Sequence, residues 1–258
     1  MLPDDVLARR VTVHLITSGP HGPELRGARV RFGQDPEELA RELGALAADV
    51  PLVALDVVTE TVSLSRSRAL HVDRIIYTRP ELRSAWPSVV PVQGLTPTAP
   101  ELAEDEPGPG PNDLPRLRRF ASYGIVTDPA GRILLSKIAE GFPGAGTWHL
   151  PGGGVDPGED VRAALRREVL EETGQHGVVG ELVSVRAHHR RPPAAALDIY
   201  AVWVFSHVHV GAPTRAHVTE ENGSTCDCAW FTPEELPGLR LSTTARVGMG
   251  LLVSRPDR

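Results

Sequence analysis

Cysteine is almost missing from this chain. Its 258 residues hold two, Cys226 and Cys228. A C-D-C pair builds no disulfide framework, and with no second pair it makes neither a CxxC redox site nor half of a zinc site. Its i, i+2 spacing suits two reduced thiols on one face of a strand near Trp230. Long apolar runs are missing too: no stretch approaches the ~20 residues of a membrane-spanning helix, although the hydrophobic content of 41% is ordinary for a globular protein. The opening MLPDDVLARR carries acids where a signal peptide has bases and an apolar stretch. A cytoplasmic protein without a membrane partner is expected. There is no excess of base either. The net charge is −6, and it is concentrated. Residues 96–115 hold 5 acids and no base, whereas residues 1–95 hold 12 acids and 11 bases and residues 116–258 hold 16 of each. Without a basic patch or a helix-turn-helix signal, nucleic acid is not an expected partner.

What the chain does hold is punctuation. Thr96 to Pro115 reads TPTAPELAEDEPGPGPNDLP, with six prolines. That density denies helix and strand alike and predicts an extended, mostly solvated linker. It separates a small α/β N-terminal domain, residues 1–95, from a C-terminal domain, residues 116–258. In the C-terminal domain strands and helices alternate. Strands are expected at 121–126, 132–136, 148–150, 178–187, 198–209 and 225–231. A helix is expected over 160–173, with Gly174 ending it in the left-handed region. Thr232-Pro-Glu-Glu235 carries the marks of a capped helix start, and Ser242 is the expected cap of the last helix. Trp148, Trp203 and Trp230 fall in strand-like segments and read as core.

The chemistry lies in residues 153–174. Gly153 is followed after five residues by Glu159, and after seven more by Arg167-Glu168, then Val169, Glu171-Glu172 and Gly174. Seven fixed positions and one apolar one arise by chance in roughly one chain per million of this length, so an ordinary Glu/Arg-laced helix face does not account for them. Glu168, Glu171 and Glu172 stand at i, i+3 and i+4, along one side of a helix. Three adjacent carboxylates repel unless one keeps its proton or a cation joins them. Mg²⁺ suits such hard oxygen ligands and shares them with phosphate and water. Val161, Leu165 and Val169 form the stripe that anchors the helix to a sheet.

This pattern resembles the box of the Nudix hydrolase superfamily, G-x5-E-x7-R-E-U-x-E-E-x-G-U with U apolar, at every position but the last, where Gln175 stands. The resemblance extends to Trp148–Gly154 before the helix and to Trp230-Phe231-Thr-Pro-Glu-Glu-Leu after it. It implies an α/β (α+β) architecture: a Nudix α/β/α sandwich with a mixed sheet, preceded by the smaller α/β domain. It implies a pyrophosphohydrolase dependent on Mg²⁺ or Mn²⁺ that attacks a phosphoanhydride in a nucleoside diphosphate derivative. By position, Glu168 and Glu172 are implied metal ligands and Glu171 a ligand or base. Arg167 orients a box carboxylate, Glu159 organises the site, and Gly152 and Gly153 let the backbone approach closely. A further carboxylate from outside the box is common in the family. Glu220 or Glu221 is the candidate for extra ligand or general base, against the competing reading of a solvated acidic loop. In His188-His189-Arg190-Arg191-Pro192-Pro193, Arg190 and Arg191 are candidates for a distal phosphate, against a solvated hairpin tip. The competing function is a nucleotide-sensing protein that binds without turnover, which the intact carboxylate set argues against. The N-terminal domain is a candidate homodimer interface.

That domain also carries a candidate echo of the box. Residues 38–52 can be laid on 164–178 so that Arg41-Glu42-Leu43 falls on Arg167-Glu168-Val169, with Ala45 and Leu46 in place of the two later carboxylates. The expectation is a degenerate Nudix-like repeat without metal ligands, and the alternative is an unrelated small α/β domain. A helix packed on a mixed sheet within residues 10–80 is the condition the repeat must meet.

Overall fold

The computed structural model describes residues 7–20, 22–65, 68–85, 95–111, 113–192, 196–221 and 223–253. By contacts the chain divides into two compact units. One takes residues 1–120, 156–160 and 185–203, and the other takes 121–155, 161–184 and 204–258.

The N-terminal sheet has β1 (Leu7–Gly19), β2 (Gly22–Arg29), β3 (Val53–Ser63) and β4 (Ala69–Thr78), in the order β2-β1-β4-β3. β1 and β2 form an antiparallel hairpin, β1 and β4 run parallel, and β3 and β4 are antiparallel. Helix α1 (Pro36–Gly44) lies against β1, β2 and β4 and buries Pro36, Leu39 and Ala40. Asp35 caps it by accepting from the Glu37 and Glu38 N–H groups, and Ala45 ends it at φ 49°.

The second sheet is built from β5 (Arg116–Thr127), β6 (Ile133–Ile138), β7 (Trp148–His149), β8 (Gly152–Gly154), β9 (Val178–Arg190), β10 (Asp198–His209) and β11 (Thr225–Phe231). Its path is β11-β6-β5-β10-β9, with β7 beside β6 and β8 beside β5. Helix α2 (Val161–Thr173) carries the box, and α3 (Thr243–Val253) follows at the end. Val126, Leu134, Leu165, Val169, Val208 and Val210 form a buried cluster that joins α2 to the sheet, as the apolar stripe predicts.

Both sheets are wound alike. Each has a first hairpin, a helix and a second hairpin, whose last strand returns beside the first: β2-β1-β4-β3 and β6-β5-β10-β9. The condition for the repeat is met. The overlay is nevertheless shifted. The left-handed residues that end the helices are Ala45 and Gly174, and matching them moves the alignment by three positions. Leu39, buried against the sheet, then stands at the place of Glu168, and Leu43 at that of Glu172. The Arg41-Glu42 pairing with Arg167-Glu168 is not kept.

The Pro-rich stretch is mostly exposed, as its composition predicts, but it is anchored at a few apolar points. Leu95, Ala99 and Leu102 are buried, and Ala99 and Leu102 pack on Leu70 and Val72. Glu101 caps the turn by accepting from the Thr98 N–H and hydroxyl, and Glu106 pairs with Arg118 through both oxygens, at 3.0 and 2.9 Å. Proline spacing forbids regular structure there but leaves the apolar residues between the prolines free to bury. One expectation needs correction: the segment after Phe231 is not a full helix. Thr232 and Glu235 do make their predicted contact, 2.7 Å from the Thr232 N–H to the carboxylate, but only a 3-10 turn, Leu236–Gly238, follows. Pro237 and Gly238 stop propagation. Ser242 caps α3 as expected, accepting from the Ala245 N–H.

Candidate active site

The candidate side chains are set by one helix and the glycine strand that faces it. Val161, Leu165 and Val169 hold one side of α2 in the core, which turns Glu168 and Glu171 outward to partial exposure, 16% and 36% of their side-chain surface. One nitrogen of Arg167, Nη1, donates to Glu168 Oε1 at 2.9 Å and to Glu171 Oε2 at 3.1 Å. Its other nitrogen, Nη2, donates to the Gly154 carbonyl at 3.2 Å. Arg167 therefore bridges two box carboxylates and ties helix to loop. Burial raises the Glu168 pKa, with the charges of Glu171 and Glu220 adding to the rise and Arg167 opposing it.

Glu172 is different. It is 3% exposed. Its Oε2 accepts the Gly152 N–H at 3.0 Å and its Oε1 accepts the Thr225 hydroxyl at 2.6 Å. Burial pushes its pKa up to about 7, and the negative charge of Glu168 pushes the same way. The sequence pattern found Glu172 but not Thr225. Nothing in the T-C-D-C stretch marks Thr225, and only the pairing of β11 with β6 in the sheet brings it into reach.

The glycines have distinct reasons. β8 pairs with β5 through Gly152 opposite Tyr123 and Gly153 opposite Ser122. At Gly152, φ is 140° and a Cβ would stand 2.2 Å from the Ser122 carbonyl oxygen. At Gly153 a Cβ would meet Glu168 Oε1 at 2.6 Å, and at Gly154 it would meet nothing within 4 Å. Gly152→Ala should therefore cost about 3 kcal/mol of stability and Gly154→Ala less than about 0.5 kcal/mol. Urea unfolding of the two variants measures the difference, and equal midpoints would refute this account of the loop.

The loop before β11 reaches the helix through its backbone. The last carbonyls of α2 lack intrahelical partners, and the N–H groups of His217, Thr219 and Glu220 fill them, bonding Thr173 O at 3.1 Å and Glu171 O at 2.9 and 3.0 Å. This docking brings Glu220 within electrostatic range of Glu168. Gly223 makes room for it, since a Cβ there would overlap the Glu220 carboxylate. Glu221 is exposed. Glu159 sits in the turn before α2, where it accepts the Asp156 N–H at 3.3 Å. Gly174 ends the helix at φ 67°. Gln175 is buried and bonds the Thr173 carbonyl and Thr214, a polar answer to the apolar position of the pattern. Arg190 and Arg191 lie at the end of β9, and Arg191 pairs with Asp198 at 3.0 Å. Pro193 lies outside the described residues.

Among the described residues no three His, Cys, Asp or Glu side chains converge on a ready-made metal cage. The donor set still suits a hard divalent cation. Glu168 and Glu171 already share one positive group, and Glu172 is a buried carboxylate whose bonds are to neutral donors.

A family model described as the NUDIX domain matches residues 117–249. The Xenopus laevis protein named nucleoside diphosphate-linked moiety X motif 6 is 36% identical over 149 residues, spanning 55% of this chain and 65% of its own length. The chain thus covers just under two thirds of that relative. The nucleoside triphosphatase NudI of Escherichia coli is 33% identical over 129 residues, 45% of this chain and 84% of its own. Among solved structures, a MutT NUDIX hydrolase from Burkholderia pseudomallei is 27% identical, covers 53% of this chain and 98% of its own, and gives a TM-score of 0.42. The matched span takes in the whole box with its glycine strand and closing strand, and by it the chain belongs to the Nudix hydrolase family.

Proposed function

We propose that the protein hydrolyses a phosphoanhydride bond in a nucleoside diphosphate derivative, using Mg²⁺ or Mn²⁺. One observation carries this reading: a single helix presents Glu168 and Glu171 around one cationic nitrogen, while Glu172 is held in the interior beside the glycine strand. Glu168, Glu171 and Glu172 would hold the metal, which polarises phosphoryl oxygens and lowers the pKa of a bound water. Arg167 keeps two of these carboxylates together, and Gly152 and Thr225 fix the third. The names of the relatives, a nucleoside triphosphatase among them, support a nucleotide as the substrate class.

Glu220 is the proposed general base. The docked loop holds its backbone to the end of α2, and its charge already bears on Glu168. Glu220→Gln should lower kcat by about 100-fold and Glu221→Gln should leave it unchanged, as steady-state rates would show. Equal effects at both positions would remove Glu220 from the role. The substrate is reached by screening nucleoside triphosphates, ADP-ribose, NADH, nucleotide sugars and dinucleoside polyphosphates with each metal, with Glu172→Gln as the control. No turnover on any of them would favour binding without hydrolysis.

A further inference from the structure

Three side chains of the N-terminal sheet form a buried polar network that does not serve the sheet alone. His71 and Asp73 stand at i, i+2 on β4, and neither is exposed. Arg9 pairs with His71 across the parallel β1–β4 register, and Thr59 pairs with Asp73 across β3–β4. Asp73 Oδ1 accepts the Thr59 hydroxyl at 2.9 Å and meets His71 Nε2 at 3.0 Å, and its Oδ2 lies 3.4 Å from Arg9 Nε. A fully buried aspartate among sheet strands is costly, and apolar residues would fill the space more cheaply. The network has an outlet in the same compact unit. The Gly158 N–H donates to His71 Nδ1 at 2.8 Å, and Arg9 Nη2 donates to the Asp156 carbonyl at 3.1 Å. Because Nδ1 accepts, the ring proton sits on Nε2 and points at Asp73. Asp73 thereby fixes the one tautomer that can receive Gly158.

Residues 156–160 are the turn inside the box, between its first glycine and the start of α2 at Val161. The turn closes on itself through the Glu159 N–H to the Asp156 carbonyl at 3.1 Å, and Gly158 takes φ 86°. We infer that His71, oriented by Asp73 and assisted by Arg9, is a positioning residue for this turn. It sets where α2 begins and so where Glu168, Glu171 and Glu172 stand. The inference rests on the hydrolase reading for its effect on turnover, because displacing catalytic groups by about 1 Å can cost on the order of 100-fold in rate.

Two substitutions separate positioning from bulk stability. In His71→Asn the amide oxygen falls where Nδ1 stood and still accepts from Gly158. In His71→Gln the amide reaches the place of Nε2, where its NH2 donates to Asp73, and no acceptor is left at the place of Nδ1 for Gly158. In the full chain, His71→Gln should lower kcat by about 10- to 100-fold with KM changed less than about threefold, and His71→Asn should stay within about threefold of the wild type. Amide exchange over residues 155–160 should quicken in His71→Gln and not in His71→Asn. Equal losses in both variants, or unchanged exchange in His71→Gln, would overturn the inference. If the wild-type chain turns over nothing in the nucleotide screen, the hydrolase reading falls, and exchange at the turn alone decides whether His71 holds it.

Discussion

Replacing Glu172 with Gln should lower turnover by about 1,000-fold and, in metal-free solution at pH 8, raise the melting temperature. The two effects have one cause. The Glu172 carboxylate is 3% exposed and its pKa is pushed up to about 7 by burial. A carboxyl group whose folded pKa is raised costs nothing below its unfolded pKa and costs stability as pH rises from about 4.5 to about 7. Above that window the cost is roughly 3 kcal/mol, at 1.4 kcal/mol per pKa unit. The amide removes the charge while keeping an oxygen for the Gly152 N–H and a polar group for the Thr225 hydroxyl. A gain of about 5–10 °C follows for a chain of this size. Mn²⁺ or Mg²⁺ should then raise the melting temperature of the wild type and leave that of Glu172→Gln nearly fixed, because the ion neutralises a charge that the variant lacks. Thermal scans of both proteins with and without metal make the measurement. A variant that melts lower without metal, or that gains as much from metal as the wild type, would take Glu172 out of the proposed ligand set.

The second large effect is an acid limb in stability. His14 is fully buried on β1, beside Thr12 at 2.9 Å, with no hydrogen-bond partner at Nδ1 among the described residues. Burial, and then the charge of Arg74, lower its pKa to about 3. His149, on β7, bonds Ser242 at 2.7 Å and faces the Tyr123 ring edge-on, and burial lowers its pKa to about 4. A histidine held neutral in the fold costs nothing above its unfolded pKa of about 6.5. Below that the unfolded chain takes up protons that the fold refuses, so stability falls until the folded pKa is reached. For His14 the loss between pH 6.5 and pH 3 is about 5 kcal/mol. Glu172 acts in the opposite direction between pH 7 and 4.5. Urea midpoints from pH 7.5 to 4.5 should therefore fall with a slope near one proton in the wild type. The slope should approach two protons in Glu172→Gln and should shallow in His14→Gln, which keeps a group opposite Thr12. A flat wild-type profile would mean that these histidines reach solvent.

The box helix was readable because its signals are local. The apolar period from Val161 to Val169, the i, i+3, i+4 carboxylates and Gly174 all act within the helix itself, and the structure places it at Val161–Thr173. β11 was readable for the same reason, a short β-rich run bounded by turn residues. Other features are tertiary and left no local mark. Leu102 lies among prolines and acids, which read as solvated, and its burial depends on Leu70 and Val72 some thirty positions earlier. Thr225 reaches Glu172 only because β11 pairs with β6. His71 meets Gly158 across most of a domain length, a contact that no spacing rule anticipates. The N-terminal domain was half legible. Its helix and hairpins were visible as elements, but the overlay fixed on an Arg-Glu pair, whereas matching the left-handed helix ends Ala45 and Gly174 gives an alignment three positions away.

One compact unit is assembled from residues 1–120, 156–160 and 185–203, and that has a consequence for synthesis on the ribosome. The order in which a chain emerges matters when domains fold as they appear, at about 5–20 residues per second. The four N-terminal strands are available once Thr78 has left the exit tunnel, with His71 and Asp73 already on β4. The partners that complete this unit arrive later, first the turn at 156–160 and then the β9–β10 hairpin. Roughly ten seconds of elongation separate the first sheet from its last contacts. Until residues 156–160 emerge, Arg9 and His71 are held without the turn they bind. A nascent chain arrested between these points should expose the network to water, and the sheet closes its polar account only when the second half of the protein has been made.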